Sequence, residues 1–393
     1  MAHVTVLGAG VLGLTVAISA KALGHDVTII ARRCVGDVDA QADPTFASAF
    51  PAASIIPHTV SDSQLSKLFD VADKIYSAFR NFRKAGVRLQ HHMELFEVEY
   101  SLPDYRDALR EFKIVPRGLS PILRDGVHRV SGYSFDCFFC DMPMYGPWLV
   151  QMSEDLGISF ERRTVTSDTI AELRTDAVVN CLGAGAHKVY EDIGPGVFFR
   201  GVLVTCPMAT RSQDVTSYNY TPEFAIYPGF GGKAADVYFY PRTGHCVLGG
   251  TRQPGTLDPK TGAFVPAEPL RCEVVAINGV DVPRPIIDLN RQFVRQLTGT
   301  TLSGPFSPLI GYRHLDGSPS QPKVTIEFRS RNGMPPHIDC IGFGGAGVTL
   351  SWGAALRVLS LLESAIGIRP KANVAEVFVS RVVDALRDAD RHV

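Results

Sequence analysis

The sequence predicts an α/β protein in which a Rossmann-like, dinucleotide-binding unit is interleaved with an α+β unit containing a mixed or antiparallel sheet. Three observations predict it. The first is Gly8-Ala9-Gly10-Val11-Leu12-Gly13, a G-x-G-x-x-G run between a β-rich stretch, His3 to Leu7, and an apolar helix pattern, Val11 to Leu23. The second is another glycine-rich strand-to-helix turn, "GFGGAG" from Gly342 to Gly347, near the far end of the chain. The third is the block 197–251 between them, rich in β-formers and aromatics and broken by glycine and proline, which reads as an antiparallel sheet.

The elements follow in order. Gly24 ends the first helix, and Asp26 to Ile30 is a short buried strand, completing a βαβ unit. Residues 62–115 are helical and polar in pattern, with Leu65, Leu68, Phe69, Ala72 and Ile75 on one face. Asp176 to Asn180 is a buried strand running into "CLGAGA", and Tyr238 to Leu248 is a β-like run ending in Gly249-Gly250. Ile338 to Ile341 leads into the second glycine turn and an apolar helix, Leu350 to Leu362, and Val374 to Leu386 reads as an amphipathic helix. The division expected is 1–57, 140–194 and 303–393 for the dinucleotide unit, with 58–139 and 195–302 forming the second.

Composition narrows the functional classes. With 20% charged residues, a net charge of −1 and no block of like charge, there is no electrostatic case for nucleic acid or a membrane surface. No uncharged apolar run is long enough to span a membrane, and the apolar N-terminus lacks the basic start of a signal peptide. Eight cysteines in 393 residues do not form a disulfide scaffold, and the lone Cys137/Cys140 pair, separated by two phenylalanines, reads as buried thiols rather than a zinc or redox site. His91 and His92 have no ligand-spaced partners, so no metal is expected. A reducing, cytoplasmic setting is expected, and a homo-oligomer is left open.

In the first turn, Gly8 permits the tight bend, Gly10 lets the backbone approach a pyrophosphate, and Gly13 lets helix and strand pack closely. The helix start, with Val11 and Leu12, offers free N–H groups to the phosphates. The strand Asp26 to Ile30 ends in Arg32 and Arg33 rather than the usual acid. Taken alone, Arg32 fits the 2′-phosphate of NADP or a solvated arginine equally well. The second glycine turn decides against NADP, because it fits a large flat cofactor whose far end also needs close backbone approach.

With "VTVLGAGVLGLTVA", "VTIIARR", "TFASAFPAASIIPHT", "FERRTVTS", "VVNCLGAGA", "YPRTGHCVLGGTRQ" and "IGYR" in hand, the chain resembles the D-amino-acid oxidase family over nearly its full length. That resemblance implies FAD as cofactor, a D-amino acid and O2 as partners, hydride transfer from the substrate Cα to flavin N5, and H2O2 as product. It implies that Arg313 fixes the substrate α-carboxylate, which suits the bidentate fork of a guanidinium, and that the Tyr238 hydroxyl assists. Around FAD it implies Gly8, Gly10, Val11, Leu12, Gly13, Arg32 and Arg33 at the first turn. It adds Ser48 at the pyrophosphate, Ala52, Ala53 and Ser54 near N5, Val165 and Gly183 toward the adenosine end, and Gly344, Gly345, Gly347, Val348 and Thr349 at the pyrimidine end.

Three details, "IPHT", "YGPWL" and "LGGTRQ", are most similar to family members acting on acidic substrates. The resemblance implies that Arg252, and to a lesser degree His58, meets the distal carboxylate of D-aspartate or D-glutamate, while Lys233 reads as a solvated lysine. The alternatives are oxidation of neutral D-amino acids or another small amine, with Arg252 at the entrance, and a flavin-binding protein without efficient turnover. The chain departs from the family after Arg313, where His314, Leu315, Asp316 and Gly317 replace a proline and a second arginine. It also ends in "DRHV", without a peroxisomal tripeptide.

Overall fold

The computed structural model describes residues 1–50, 52–57, 65–79, 82–120, 128–208, 216–221, 237–270, 272–318, 320–331, 333–368 and 373–391. They form two compact units. One comprises Met1–Arg88, Cys140–Val197 and Arg313–Val393, and the other Leu89–Phe139 and Phe198–Tyr312. The division read from sequence changes unit at 57/58; the compact units change at 88/89, so helix Leu65–Ala78 belongs to the first.

In the first unit, β1 (His3–Ala9), α1 (Val11–Ala22) and β2 (Asp26–Cys34) come first. They are followed by α2 (Leu65–Ala78), α3 (Met142–Asp155), β3 (Ser159–Arg162), α4 (Ser167–Glu172), β4 (Ala177–Asn180), β5 (Thr325–Arg329), β6 (His337–Ile341), α5 (Gly347–Ala365) and α6 (Val374–Asp390). The strands form a sheet in the order β5-β6-β4-β1-β2-β3. All neighbours are parallel except the edge strand β5. The central strands are buried on both faces, as expected of strands covered by helices, and this explains the β-branched runs Val4–Val6 of β1 and Val178–Val179 of β4.

On one face Leu7, Ile30, Val178 and Ile341 pack with Ile170, Ala186, Tyr190 and Ile193. Helix α1 packs on α5, and α5 on α2. At that second crossing Gly353 is required, because a Cβ there would lie 2.0 Å from the Leu68 carbonyl oxygen. Phe79, Tyr145, Trp148 and Trp352 form an aromatic cluster beside it, and the Trp352 indole donates to the Tyr145 hydroxyl at 3.0 Å.

The helical reading of 62–115 is corrected beyond Ala78. Leu68, Phe69, Ala72 and Ile75 do bury one helical face, but strands Val87–Phe96 and Arg110–Ser120 follow. The switch comes at Gly86, which takes a left-handed φ of 64°. Strand alternation was hidden there because Gln90, His92 and Glu94 are buried despite being polar. The Tyr238 to Leu248 run is a hairpin, Val237–Arg242 and His245–Gly249, turning through Thr243-Gly244. Helix α5 begins at Gly347 and not Leu350.

The second unit is a mixed sheet. Its path runs Phe264–Pro266, Gln253–Leu257, Val197–Pro207, His245–Gly249, Val237–Arg242, Ser217–Thr221, Val87–Phe96 and His128–Asp141. Ser217–Thr221 pairs parallel with Val87–Phe96 and antiparallel with Val237–Arg242. Successive side chains alternate faces. One face, with Leu95, Tyr220, Val237, Phe239, Cys246 and Leu248, packs on Ile286, Ile287, Phe293 and Val294 of helix Arg284–Thr298. The other face carries Gln90, His92, Glu94, Ser217, Asn219, Tyr238, Tyr240 and Arg242, all buried. Among the described residues, no helix is long and apolar enough to cross a membrane.

Candidate active site

The first unit's sheet reverses direction at β1: the chain steps from β1 to β2 to β3 on one side, then returns to place β4 on the other. In open parallel sheets the crevice outside the strand C-termini at such a reversal receives ligands. Here the ends of β1, β4 and β6 all carry glycine turns. Gly8 has φ 103°, and a Cβ on it would lie 2.6 Å from the Cys181 carbonyl oxygen, so the turns after β1 and β4 abut. A Cβ on Gly13 would lie 1.9 Å from the Gly8 carbonyl oxygen. A Cβ on Gly10 would lie 2.9 Å from the Ser48 hydroxyl, which itself accepts from the Val11 N–H at 3.0 Å. Gly10 supplies no side-chain cap to α1, whose first turn holds no acidic residue, with Leu12 half-buried there. A helix start without its own anion suits a diphosphate.

The turn after β6 repeats the device. Ala346 offers α5 no side-chain cap, and the first turn again lacks an acid. Gly344 is left-handed at φ 55°, Gly345 is exposed, and Gly347 opens the helix. The Val348 carbonyl accepts from the Tyr76 hydroxyl at 2.7 Å, which ties this turn to α2. Thr349 is buried, and its hydroxyl lies 3.2 Å from the Ser54 carbonyl and 3.4 Å from that of Ile56. Its observed work is therefore to hold the Ala52–Ser54 segment, in which Ala53 is buried, beside the start of α5. Two helix starts that lack both an N-cap side chain and an acid in the first turn, at the mouth of one sheet, fit a cofactor with phosphates at one end and a polar ring at the other.

Arg32 and Arg33 follow the core of β2. Arg32 pairs with Asp43 at 2.9 Å, and Arg33 with Asp43 at 3.3 Å and Asp39 at 3.4 Å. Burial pushes the Asp43 carboxyl up, but hydrogen bonds from Thr45 and the two guanidinium charges outweigh it and hold it below the ordinary range. The pairs orient both arginines along the loop that carries Ser48. Val165 is half-buried after β3, and Gly183, at φ 55°, follows β4. Asn180 shapes that turn: its side-chain oxygen accepts from the Leu182 N–H at 3.2 Å while its amide donates to the buried Asp339 carboxylate at 2.9 Å.

Arg313 is half-buried and opens the last segment of the first unit. The residues after it, where the sequence departs from the pattern of the family it resembles, are packed against the β6 turn. The His314 carbonyl accepts from the Gly344 N–H at 2.8 Å, and Leu315 lies against Gly344. The Asp316 carboxylate accepts from the Thr325 hydroxyl at 2.5 Å. The His314 imidazole fills the space beside Gly196, where a Cβ would lie 2.4 Å from Nε2. Burial drives its pKa down to about 4, outweighing the Asp316 charge and a hydrogen bond to Pro195.

That depression has a sign that can be tested. His314 is neutral in the native protein but protonates near 6.5 when unfolded, so its stabilising share is complete above pH 6.5 and is lost as pH falls toward 4. The full difference corresponds to about 3 kcal/mol. Between pH 7 and pH 4.5 the wild-type chain is expected to lose about 2 kcal/mol more unfolding free energy than His314→Gln, as measured by urea denaturation. Parallel losses in the two proteins would contradict a buried neutral His314.

In the second unit, Tyr238 is directly opposite Gly249 across the hairpin. Its ring lies over the glycine pair: a Cβ on Gly249 would fall 1.8 Å from Tyr238 Cζ, and one on Gly250 2.5 Å from Cε1. The two glycines exist to make room for that ring. The backbone beyond is pinned at each step. The Asn290 amide donates to the Gly249 carbonyl at 2.9 Å. The Thr251 hydroxyl accepts from the Val202 N–H at 2.7 Å and lies 3.2 Å from the Arg200 carbonyl. The Gln253 amide donates to the Glu268 carbonyl at 2.9 Å. Thr251 and Gln253 are buried, and Arg252 between them is exposed. A cation thus stands on a rigid stretch of backbone, facing away from the core.

His58 and Lys233 lie outside the described residues. The sequence reading did not single out Asn219, Glu94 or Tyr240, and weighed His92 only as a metal ligand; all four share the polar face with Tyr238, and Tyr240 stacks on it. The signal available was the i, i+2 spacing of Gln90, His92 and Glu94, which puts them on one face of a strand.

Comparison with known proteins agrees with this geometry. Residues 3–361 match the family described as "DAO: FAD dependent oxidoreductase". The chain is 27% identical over 375 residues to the D-amino-acid oxidase of Rubrobacter xylanophilus, covering 93% of this chain and 97% of the relative. It is 24% identical to the D-aspartate oxidase of Homo sapiens, covering 95% and 99%. Among solved structures it resembles NikD, an unusual amino acid oxidase, with a TM-score of 0.63 at 13% identity over 97% of this chain and 96% of that one. It also resembles the glycine oxidase of Geobacillus kaustophilus, with a TM-score of 0.60 at 15% identity over 95% and 96%. The chain therefore belongs to the DAO family of FAD dependent oxidoreductases, and FAD is its cofactor.

Proposed function

We propose that this DAO-type FAD-dependent amino-acid oxidase acts on acidic D-amino acids, D-aspartate first and D-glutamate second. The observation that carries the reading is Arg252, an exposed guanidinium held on the anchored Gly249–Gln253 backbone just past the glycines under Tyr238. Because that backbone is fixed beforehand, taking a carboxylate orders only the side chain and not the loop that carries it. The similarity to a D-aspartate oxidase over nearly the whole chain supports the same choice.

FAD, held by the glycine turns at the starts of α1 and α5, would supply the acceptor for the hydride of the substrate Cα and would be reoxidised by O2, so that the net reaction with water would give a 2-oxo acid, ammonia and H2O2. The chain's own residues orient and bind. Arg313 takes the α-carboxylate through its planar fork, and the Tyr238 hydroxyl donates to the same group. Arg252 takes the side-chain carboxylate, which a neutral D-amino acid lacks. At the cofactor, the N–H groups at the starts of α1 and α5 receive negative charge, Ser48 orders the first turn, and Thr349 fixes Ser54 beside the second.

The test is peroxide production by the purified holoenzyme on single substrates. kcat/KM is expected to be highest for D-aspartate, next for D-glutamate, and at least about tenfold lower for D-alanine. Turnover of D-alanine without turnover of either acidic substrate would overturn the assignment and favour the neutral-substrate reading.

A further inference from the structure

We propose that Tyr240 is a positioning residue for Tyr238, tethered through Asn219 to a buried carboxylate, Glu94. The inference rests on the reading of Tyr238 as a substrate ligand and adds the device that sets its geometry.

Four residues form one rung across the sheet. Glu94 is paired with Asn219, Asn219 with Tyr238, and Tyr238 with Gly249. All four are on the polar face, and Tyr240, two residues along, shares it. The Tyr238 ring is held from two sides. Beneath it runs the Gly249-Gly250 backbone, and against it stacks the Tyr240 ring, with centroids 4.7 Å apart and planes at 22°. Tyr240 is itself fixed at its far end, where its hydroxyl donates to the Asn219 side-chain oxygen at 2.7 Å.

The direction of that bond is dictated by Glu94. A carboxylate only accepts, so Asn219 must present its amide nitrogen to Glu94, which it does at 2.8 Å. Its oxygen is then left for Tyr240, whose proton is committed to it. Glu94 is also 2.9 Å from His92 Nε2, and the His92 ring is tilted against Phe135 and Phe139. An apolar rung would fill this space with less desolvation cost. The hydrogen-bonded chain from Glu94 through Asn219 to Tyr240, by contrast, fixes one orientation for the Tyr240 ring at its end. Against that ring stacks Tyr238, the tyrosine over the glycines.

The test is a double-mutant cycle on the holoenzyme. Tyr240→Phe keeps the stacked ring and removes the tether. It is expected to raise KM for D-aspartate roughly three- to tenfold, with kcat and the FAD dissociation constant within about twofold of wild type. In a Tyr238→Phe background the same change is expected to have almost no further effect on KM. Asn219→Leu cuts the tether one step earlier and should give the same cycle if Tyr240→Phe yields little folded protein. An undiminished effect of Tyr240→Phe in the Tyr238→Phe background would overturn the positioning role while leaving Tyr238 as a ligand. A Tyr238→Phe enzyme with unchanged KM would instead remove Tyr238 from the substrate site, and the inference with it. A fall in FAD affinity or kcat equal to the rise in KM would mark a structural role only and would also overturn it.

Discussion

Replacing Gly13 with alanine is expected to leave a chain that no longer retains FAD. Intrinsic helix propensity points the other way, since alanine inside a helix is favoured over glycine by about 1 kcal/mol. Steric conflict decides the outcome. The added Cβ would lie 1.9 Å from the Gly8 carbonyl oxygen, and both atoms belong to backbone, so no side-chain rotation relieves the clash. Relief requires α1 to move away from the end of β1, and α1 is buried nearly all round against β1, β2, α3 and α5. Forcing atoms into such packing costs about 1–3 kcal/mol or more, and the movement also carries the Val11 and Leu12 N–H groups away from the turn. Gly185→Ala is the control: that glycine has no positive φ, and an added Cβ would meet only Leu182 at an ordinary 3.9 Å. Gly185→Ala is expected to purify yellow with wild-type flavin content, and Gly13→Ala colourless or in low yield. Equal flavin content in both would contradict the close-packing role of Gly13.

Removing the Arg252 guanidinium is expected to cost most on acidic substrates. A charge-assisted hydrogen bond contributes about 1.5–3 kcal/mol, so Arg252→Ala should lower kcat/KM for D-aspartate by roughly 10- to 150-fold. The side chain is exposed, which places the effect toward the lower end of that range at physiological salt and makes it salt-dependent. D-alanine turnover should change by less than about twofold, because its side chain presents nothing for the guanidinium to bind. Arg252→Lys keeps the charge but loses the fork, and is expected to fall between the two. An equal loss on D-aspartate and D-alanine would assign Arg252 to the folding of the Gly249–Gln253 segment. Thr251 and Gln253 already anchor that segment, so such a loss is not expected.

The first unit was legible because its signals are local. Three glycines at fixed spacing, a β-branched strand before them and an apolar helix after them specify one βαβ geometry, and the second glycine turn repeats it. The glycine constraints at Gly8 and Gly13 are contacts within or between adjacent turns. Sequence periodicity was a poor guide from Val87 onward because the inward-facing residues of that strand are polar. Gln90, His92 and Glu94 break the apolar alternation that marks a half-buried strand, and their pairing with Ser217 and Asn219 comes from more than a hundred positions away. The function of Gly249 and Gly250 was hidden for a related reason: the ring they accommodate is a cross-strand neighbour, visible only once the hairpin is closed. The residues after Arg313 depart from the family's pattern, yet they are packed and hydrogen-bonded to the Gly344 turn, a compensation that no motif carries.

The central claim is that this flavoenzyme's own reactive centre prefers an acidic D-amino acid. Anaerobic mixing of the oxidised holoenzyme with substrate, followed by the loss of its visible flavin absorbance, tests it most directly, because oxygen chemistry and product release are removed from the measurement. Bleaching by D-aspartate is predicted to be complete and at least about tenfold faster than by D-alanine at equal concentration, with none by L-aspartate. Rapid bleaching by D-alanine, with the D-aspartate mixture still yellow, would contradict it.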